Sequence, residues 1–369
     1  MPEPRRRPKW LARRRRIAAI VLLAMIVPAL VLGWYGWEII SAIDDAQDRS
    51  VVELPTRSES DSPAGAIHND NDPSRLDVAK GVFAGGTGVG ASDPADVWTN
   101  QDTVTFLVVG IDERPSEPDR NADVIILARL NFTTNTMHSV SIPRDLQVNI
   151  PGHGLGKING AYNLGIDGDP ANRAGGVALV RDTIELNFDV RIDEYMLVNF
   201  NGFTDVVDAL GGIQIDVPEA IVDPNYPTVD SGTTTVAFEA GPQLMDGEQA
   251  LAYARTRHQD SDDARRERQM LVLLAMFESG KDIGSLTQLS EIIIATADSV
   301  QTSVDFEGQL ALARLALGMD REDIHMTTIS PPLVQPGTAD NGAWIYVADP
   351  AEITAFIHNA LDGTLDTAP

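Results

Sequence analysis

Five arginines fall within fourteen residues of this chain: Arg255, Arg257, Arg265, Arg266 and Arg268. The chain as a whole is acidic, with 54 Asp+Glu against 28 Lys+Arg and a formal net charge of −26. A local reversal of charge on that scale calls for a ligand or a counter-ion. Guanidinium is planar, permanently charged and forked, so clustered arginines suit phosphate or carboxylate oxygens taken in pairs. In extended chain Arg255 and Arg257 would share a face. Read as a helix, Asp262, Arg265, Arg268 and Gln269 lie within one arc of its circumference, with Arg266 beside the arc and Glu267 pointing away. The residues after Met270 are apolar nearly all round, so this helix is expected to run into a core and present its arginine-rich first turn to a cleft. The competing reading is a solvated face laced by Asp–Arg pairs.

Charged and polar residues also punctuate a set of apolar runs. Asp112 and Arg114 follow TFLVVGID, and Asp123 opens DVIILARL. Arg144 and Asp145 follow HSVSI, while Lys157 and Asn159 stand in GKINGAY. An α/β sheet places its ligands at strand ends of this kind. Two carboxylates near several arginines suit a hard divalent cation that bridges phosphate oxygens, with the guanidiniums neutralising the remaining charge. Each acid could instead cap a turn or balance a neighbour.

Composition narrows the chemistry further. There is no cysteine, which excludes disulfides, thiolate metal sites and a cysteine nucleophile. The six histidines are scattered without an HExxH pair, and neither GxSxG nor GxxxxGK[ST] occurs. The strong negative charge argues against a nucleic-acid partner.

The elements that must position these residues are legible as texture. TFLVVGID (105–112), DVIILARL (123–130), HSVSI (138–142), residues 195–200 and Ile213–Val217 read as strands. Helices are expected over Gly175–Phe188, over Phe203–Leu210 with a stop at Gly211-Gly212, and from a capping box at Asp246–Gln249 to Ala254. Further helices are expected at 286–300, 306–318 and 350–361, with strands near 324–329 and 344–347. The alternation predicts an α/β fold with a central sheet flanked by helices.

Eight of the 28 basic residues precede residue 17, and Ile17–Trp37 is then free of charge. That run is long enough to cross a ~30 Å hydrocarbon core, and longer than the apolar region of a cleavable signal peptide. Trp34, Tyr35 and Trp37 form an aromatic belt at its far end. The expected layout is a cytoplasmic basic tail (1–16), a single-pass signal anchor (17–39), an acidic flexible linker (40–100), an extracytoplasmic domain (101–362) and a short tail (363–369). The glycine cluster GGTGVG (85–90) lacks strand or lysine context and is read as part of the linker.

GIDER, ADVIIL, SIPRD, GKINGAY, NFNGFTDVVDALGGI, LMDGEQALAYARTR and DDARRERQ, in this order and spacing, resemble the LytR–CpsA–Psr family of cell-wall glycopolymer ligases. The resemblance spans about Val104 to Leu361. It implies a central mixed sheet and a Mg²⁺-assisted (or Mn²⁺-assisted) transfer of an anionic glycopolymer from a polyprenyl-pyrophosphate carrier onto peptidoglycan. By the same resemblance Asp112 and Asp123 match the acids that hold the metal. Arg144, Arg255, Arg257, Arg265 and Arg268 match the arginines of the pyrophosphate site, with Arg114, Lys157, Asn159, Asp262 and Gln269 beside it. Where the family has Arg-Ser-Asp this chain has Asn121-Ala122-Asp123, so Arg120 or Arg114 would have to supply the missing charge. Asp145 and the metal-bound network are both candidates for activating the attacking hydroxyl. The prenyl tail needs an apolar channel, for which Val177, Leu179, Val180, Ile184, Val206, Val207 and Leu210 are candidates. A binding module without turnover, and a polyprenyl-pyrophosphate hydrolase, are the alternatives.

Overall fold

The computed structural model describes residues 42, 45–55, 97–98, 101–113, 120–228, 232–256, 262–281, 292–293, 295–297 and 299–365. The expected cytoplasmic tail, the expected anchor, Arg114 and Arg257 lie outside them. Among the described residues no helix is long and apolar enough to cross a membrane. The described residues from Ala46 onward belong to one compact unit; of a second unit (1–45 and 69–89) only residues 42 and 45 are described.

Strands β1 (Thr103–Ile111), β2 (Ala122–Asn131) and β3 (Thr136–Ser141) form an antiparallel meander. A small hairpin, β4 (Gln147–Ile150) and β5 (Gly154–Lys157), leads into α1 (Gly160–Gly165) and α2 (Arg173–Phe188). These helices carry the chain back to β6 (Glu194–Asn199), which pairs parallel to β1. Next come α3 (Phe200–Ala209), β7 (Ile213–Val217), the hairpin β8 (Ile221–Pro227) and β9 (Thr233–Phe238), and β10 (Gly241–Met245) against β7. Helices α4 (Gly247–Arg255) and α5 (Asp262–Lys281) follow. The chain ends with β11 (Val300–Thr302), α6 (Phe306–Gly318), β12 (Ile324–Thr328), the hairpin β13 (Gln335–Thr338) and β14 (Trp344–Val347), and α7 (Pro350–Leu361). Among the described residues the main sheet has the order β11-β6-β1-β2-β3-β12 and is mixed, as the sequence led us to expect.

Alternation along β1 divides the core between the two faces of the sheet. Leu107, Val109 and Ile111 face one side, where Val177, Val180 and Ile184 of α2 and Ile353 and Ile357 of α7 cover them. Val104 and Phe106 face the other, under Trp98, Val304 and Ala311. A separate apolar cluster joins Val207, β7, Tyr253 and Val272, so α3, α4 and α5 pack around the small β7–β10 sheet. Expected helix and strand limits agree within a few residues, and the capping box at Asp246 and Gln249 is present. One element differs. Of the helix expected over 286–300, residues 292–293 and 295–296 are helical within the described residues, but Val300–Thr302 is a strand. Val300 and Thr302 are β-branched and pair with the edge of β6, which wins over helical continuation.

Part of the stretch expected as linker belongs to the domain. Residues 46–50 are helical, Ala46 is 1% exposed, and Val51 bridges Thr302 at the sheet edge. Val52 N–H donates to the Thr302 carbonyl (2.9 Å), and Tyr195 Oη donates to the Val52 carbonyl (2.7 Å). Apolar Leu54 packs on the main core. Polar composition concealed a segment whose few apolar residues find a ready-made edge.

Trp98 Nε1 and Ser303 Oγ donate to the two carboxylate oxygens of Glu194, at 3.1 and 2.5 Å. Burial nevertheless holds this carboxyl above its ordinary range, outweighing both hydrogen bonds. A raised folded-state pKa means the ionised form is disfavoured in the fold, so the penalty is absent below the unfolded value and grows as pH rises through it. Glu194→Gln is therefore expected to melt above the wild type at pH 7, with the gap closing toward pH ~4. A gap independent of pH in thermal unfolding would contradict this.

A candidate phosphate-binding site at one end of the sheet

Because β1, β3 and β6 run the same way and β2 runs against them, Asp112, Asp123, Arg144 and Asn199 all come to one end of the sheet. The register there is irregular. Gly110 faces Val124 while Ile111 faces Ala122, which leaves Asp123 as the extra residue of a β-bulge. A bulge re-aims the side chain it carries, and bulges concentrate beside active sites. Gly110 makes the close approach possible, since a Cβ there would lie 2.9 Å from Val124 Cβ.

The loop after β3 is stitched to this end by backbone bonds. Asn159 N–H donates to the Arg144 carbonyl, and the Asn159 carbonyl accepts from Ala122 N–H, both at 3.1 Å. Asn159 thus locks the loop through its main chain, while its side chain caps nothing. Arg144 Nη1 lies 2.6 Å from Asp123 Oδ1, and its Nε lies 3.5 Å from Asp145 Oδ2. Lys157 Nζ donates to Asp145 Oδ1 at 2.7 Å. Asp145 is therefore paired with two cations.

Arg255 approaches from α4. Expected in extended chain, it is the last residue of that helix, where a cation interacts favourably with the helix dipole. Its guanidinium lies over the Phe200 ring (4.0 Å to the centroid), donates to Tyr226 Oη (3.1 Å) and reaches Asp112 Oδ2 (3.5 Å). Burial raises the Tyr226 phenol despite the opposing charge of Arg255, so its O–H stays intact near neutral pH. Neither Phe200 nor Tyr226 stood out in the sequence: Phe200 closes the run read as a strand over 195–200, and Tyr226 stands in no motif.

Helix α5 supplies arginines that are buried: Arg265, Arg266 and Arg268 are 6, 3 and 5% exposed. Arg268 donates to the carbonyls of Tyr253 (Nε, 3.0 Å) and Thr256, and Gln269 Nε2 lies 3.5 Å from the Ala254 carbonyl. Both satisfy the carbonyl end of α4, and so hold the turn that presents Arg255. Arg266 donates to the Ile329 carbonyl at 3.3 Å and ties α5 to the end of β12. Asp262 opens α5.

Arg120 does not pair with Asp123, the acid beside which the resemblance placed it. Its guanidinium pairs with Glu113, whose second oxygen accepts from Arg173 Nη2 (2.5 Å) and Asn199 Nδ2 (3.0 Å). Glu113 sat unremarked inside GIDER, and Arg173 follows a turn-rich stretch with no motif of its own.

Beside Arg255 opens a cavity of about 730 Å³, bounded by Phe200, Tyr226, Val236, Leu244 and Leu251, with Glu113 and Asn199 on its wall. The helix residues considered for an apolar channel lie outside its lining. Val177, Val180, Ile184 and Val207 are fully buried in cores, Leu179 and Leu210 pack against those cores, and Val206 is not on the cavity wall. The cavity's apolar lining comes instead from α3, α4 and the β8–β10 strands.

Asp112 and Asp123 supply oxygen donors at adjacent strand ends. No three acidic or histidine side chains converge for a metal among the described residues. A Mg²⁺ that shares its shell with phosphate oxygens and water needs only one or two carboxylates, and this pair fits that demand.

A family model described as the LytR_cpsA_psr family matches residues 67–361. The polyisoprenyl-teichoic acid–peptidoglycan teichoic acid transferase TagU of Oceanobacillus iheyensis is 34% identical over 259 residues, covering 70% of this chain and 75% of the relative. The crystal structure of Bacillus subtilis TagV superposes with a TM-score of 0.59 at 26% identity, over 73% of this chain and all of that one. The structure of TagT bound to LIIa-WTA superposes at 0.56 with 27% identity, over 73% of this chain and 93% of the other.

Proposed function

The chain belongs to the LytR–CpsA–Psr family, and from that premise we propose that it transfers an anionic glycopolymer from a polyprenyl-pyrophosphate carrier to peptidoglycan. The observation that carries this reading is Arg255, which reaches Asp112 and lines a cavity with apolar as well as polar walls. Phosphates and prenyl tail need that junction of cation and apolar wall.

In this reading the prenyl chain lies in the cavity and the pyrophosphate lies against Arg255, with Arg144 and Lys157 across the sheet end. The acceptor hydroxyl oxygen attacks the polymer-bearing phosphorus and gives its proton to Asp145 or to a phosphate oxygen of the departing polyprenyl phosphate. The bond from that phosphorus to the bridging oxygen breaks, and polyprenyl phosphate leaves with the electron pair. Negative charge grows on the leaving phosphate, and preorganised guanidiniums stabilise it with little covalent work by the protein. Asp112 and Asp123 would hold a Mg²⁺ (or Mn²⁺), which supplies further charge neutralisation at the phosphate oxygens. Asp145 keeps Lys157 and Arg144 in place.

The charge-free run at 17–37 anchors the domain on the outer face of the membrane, with the basic tail in the cytoplasm.

The test is reconstitution of the full chain with lipid-linked polymer, Mg²⁺ and peptidoglycan. Polymer joined to glycan through a phosphodiester, and absent from the Arg257→Ala variant, is the expected result. Polymer released to water would identify a hydrolase, and lipid binding without turnover a binding module.

A further inference from the structure

We propose that Arg173 is a positioning residue that cancels the charge of Glu113 on the cavity wall, together with Arg120, and thereby lets a pyrophosphate settle beside it. The inference rests on the functional reading above and assigns a role that neither the motifs nor the relatives' names give. Glu113 directly follows Asp112 and lines the same cavity as Arg255. An anionic wall is a poor host for an anionic ligand. Both carboxylate oxygens are engaged, one by Arg120 and the other by Arg173 and Asn199. These bonds turn the carboxylate toward its cations and keep it from joining Asp112 and Asp123 as a third acid at the phosphates. Arg120 covers only one of the two oxygens, and without Arg173 the other would keep a single neutral partner, Asn199.

Burial makes the arrangement effective. The side chains of Glu113, Arg120 and Arg173 are 11, 16 and 25% exposed, so solvent screens them weakly. Tyr162, fully buried on α1, packs against Gly176 in the first turn of α2, where a Cβ would lie 2.7 Å from its ring. Arg173 is the first residue of α2, behind the Asn172 N-cap, so helix and cap fix where its guanidinium starts. The departure at Asn121 gains a physical reading. The charge absent there enters this site from α2, through Glu113, and not along β2.

The experiment titrates geranylgeranyl pyrophosphate, a C20 prenyl pyrophosphate, into the full chain in detergent, once with Mg²⁺ and once with EDTA. Arg173→Ala is expected to weaken binding by about tenfold or more, in the range of close charge couplings. Arg173→Lys should stay within about threefold of wild type, since it keeps the charge. The deciding variant is the double Glu113→Gln/Arg173→Ala, which should bind within about threefold of Glu113→Gln alone because no charge is left to cancel. Wild-type affinity in Arg173→Ala would overturn the proposal. So would a double variant as weak as Arg173→Ala, which would mean that Arg173 touches the ligand or merely supports the fold. If thermal unfolding shows Arg173→Ala to be misfolded, Arg173→Met in the Glu113→Gln background carries the same comparison. Failure of the wild type to bind would count against the functional reading itself, a separate result.

Discussion

Arg255→Ala is expected to lower kcat/KM for polymer transfer by roughly 10²–10³-fold, the loss seen when one preorganised donor to a developing oxyanion is removed. Arg255 is held from three sides, by the Phe200 face, Tyr226 Oη and Asp112. Such fixing means that little reorganisation is required as charge builds on the leaving phosphate. The substitution should be benign for the fold. Arg255 is the last residue of α4, its side chain is one-fifth exposed, and the carbonyls at that helix end are served by Arg268 and Gln269. Lysine should restore only part of the activity, because an ammonium cannot offer a fork to two oxygens. Activity of Arg255→Ala within a few-fold of wild type, with an unchanged melting temperature, would remove this residue from the mechanism.

Asp123→Asn is the second large effect: a fall in transfer of at least ~10³-fold, or about 4 kcal/mol of transition-state stabilisation, together with loss of Mg²⁺ dependence. The bulge places this acid beside the end of β1, and asparagine keeps its volume while removing its charge. Two consequences separate a metal ligand from a structural acid. The Arg144–Asp123 pair is partly exposed, at 20 and 29%, so its loss should change stability by no more than about 1 kcal/mol. Transfer by the wild type should collapse with chelator and return with added Mg²⁺ or Mn²⁺, whereas the variant should respond to neither. A variant still stimulated by Mg²⁺ would assign the metal elsewhere. Asp112→Asn should behave similarly, with weaker lipid binding as well, because Asp112 also orients Arg255.

Much of this was legible in the sequence because the signals were local. Uniformly apolar strands such as β1 and β2, the Asp246 capping box and the Gly211-Gly212 stop are written in consecutive residues, and each formed as read. The residues at strand ends were also legible, since strand direction alone brings Asp112, Asp123 and Arg144 together. What could not be read depends on partners distant in sequence. Arg268 satisfies the spacing of a ligand-binding arc, yet the carbonyl end of α4 takes its donors. Arg173 reaches Glu113 across sixty residues, with no motif to mark it. Residues 46–55 read as polar tether, but Val51, Val52 and Leu54 find an edge and a core to join. The cavity is bounded by a hairpin and two helices, so no single stretch contains its outline.

The most direct test of the central claim is mass spectrometry of lipid retained by the full chain purified from a bacterial host, compared with Arg255→Ala. The account predicts a polyprenyl phosphate or pyrophosphate bound to the wild type and lost from the variant, whose fold is otherwise preserved. Equal lipid in both, or none in the wild type even after Mg²⁺ and synthetic carrier are added, would contradict the assignment of Arg255 and the adjoining cavity as the carrier site.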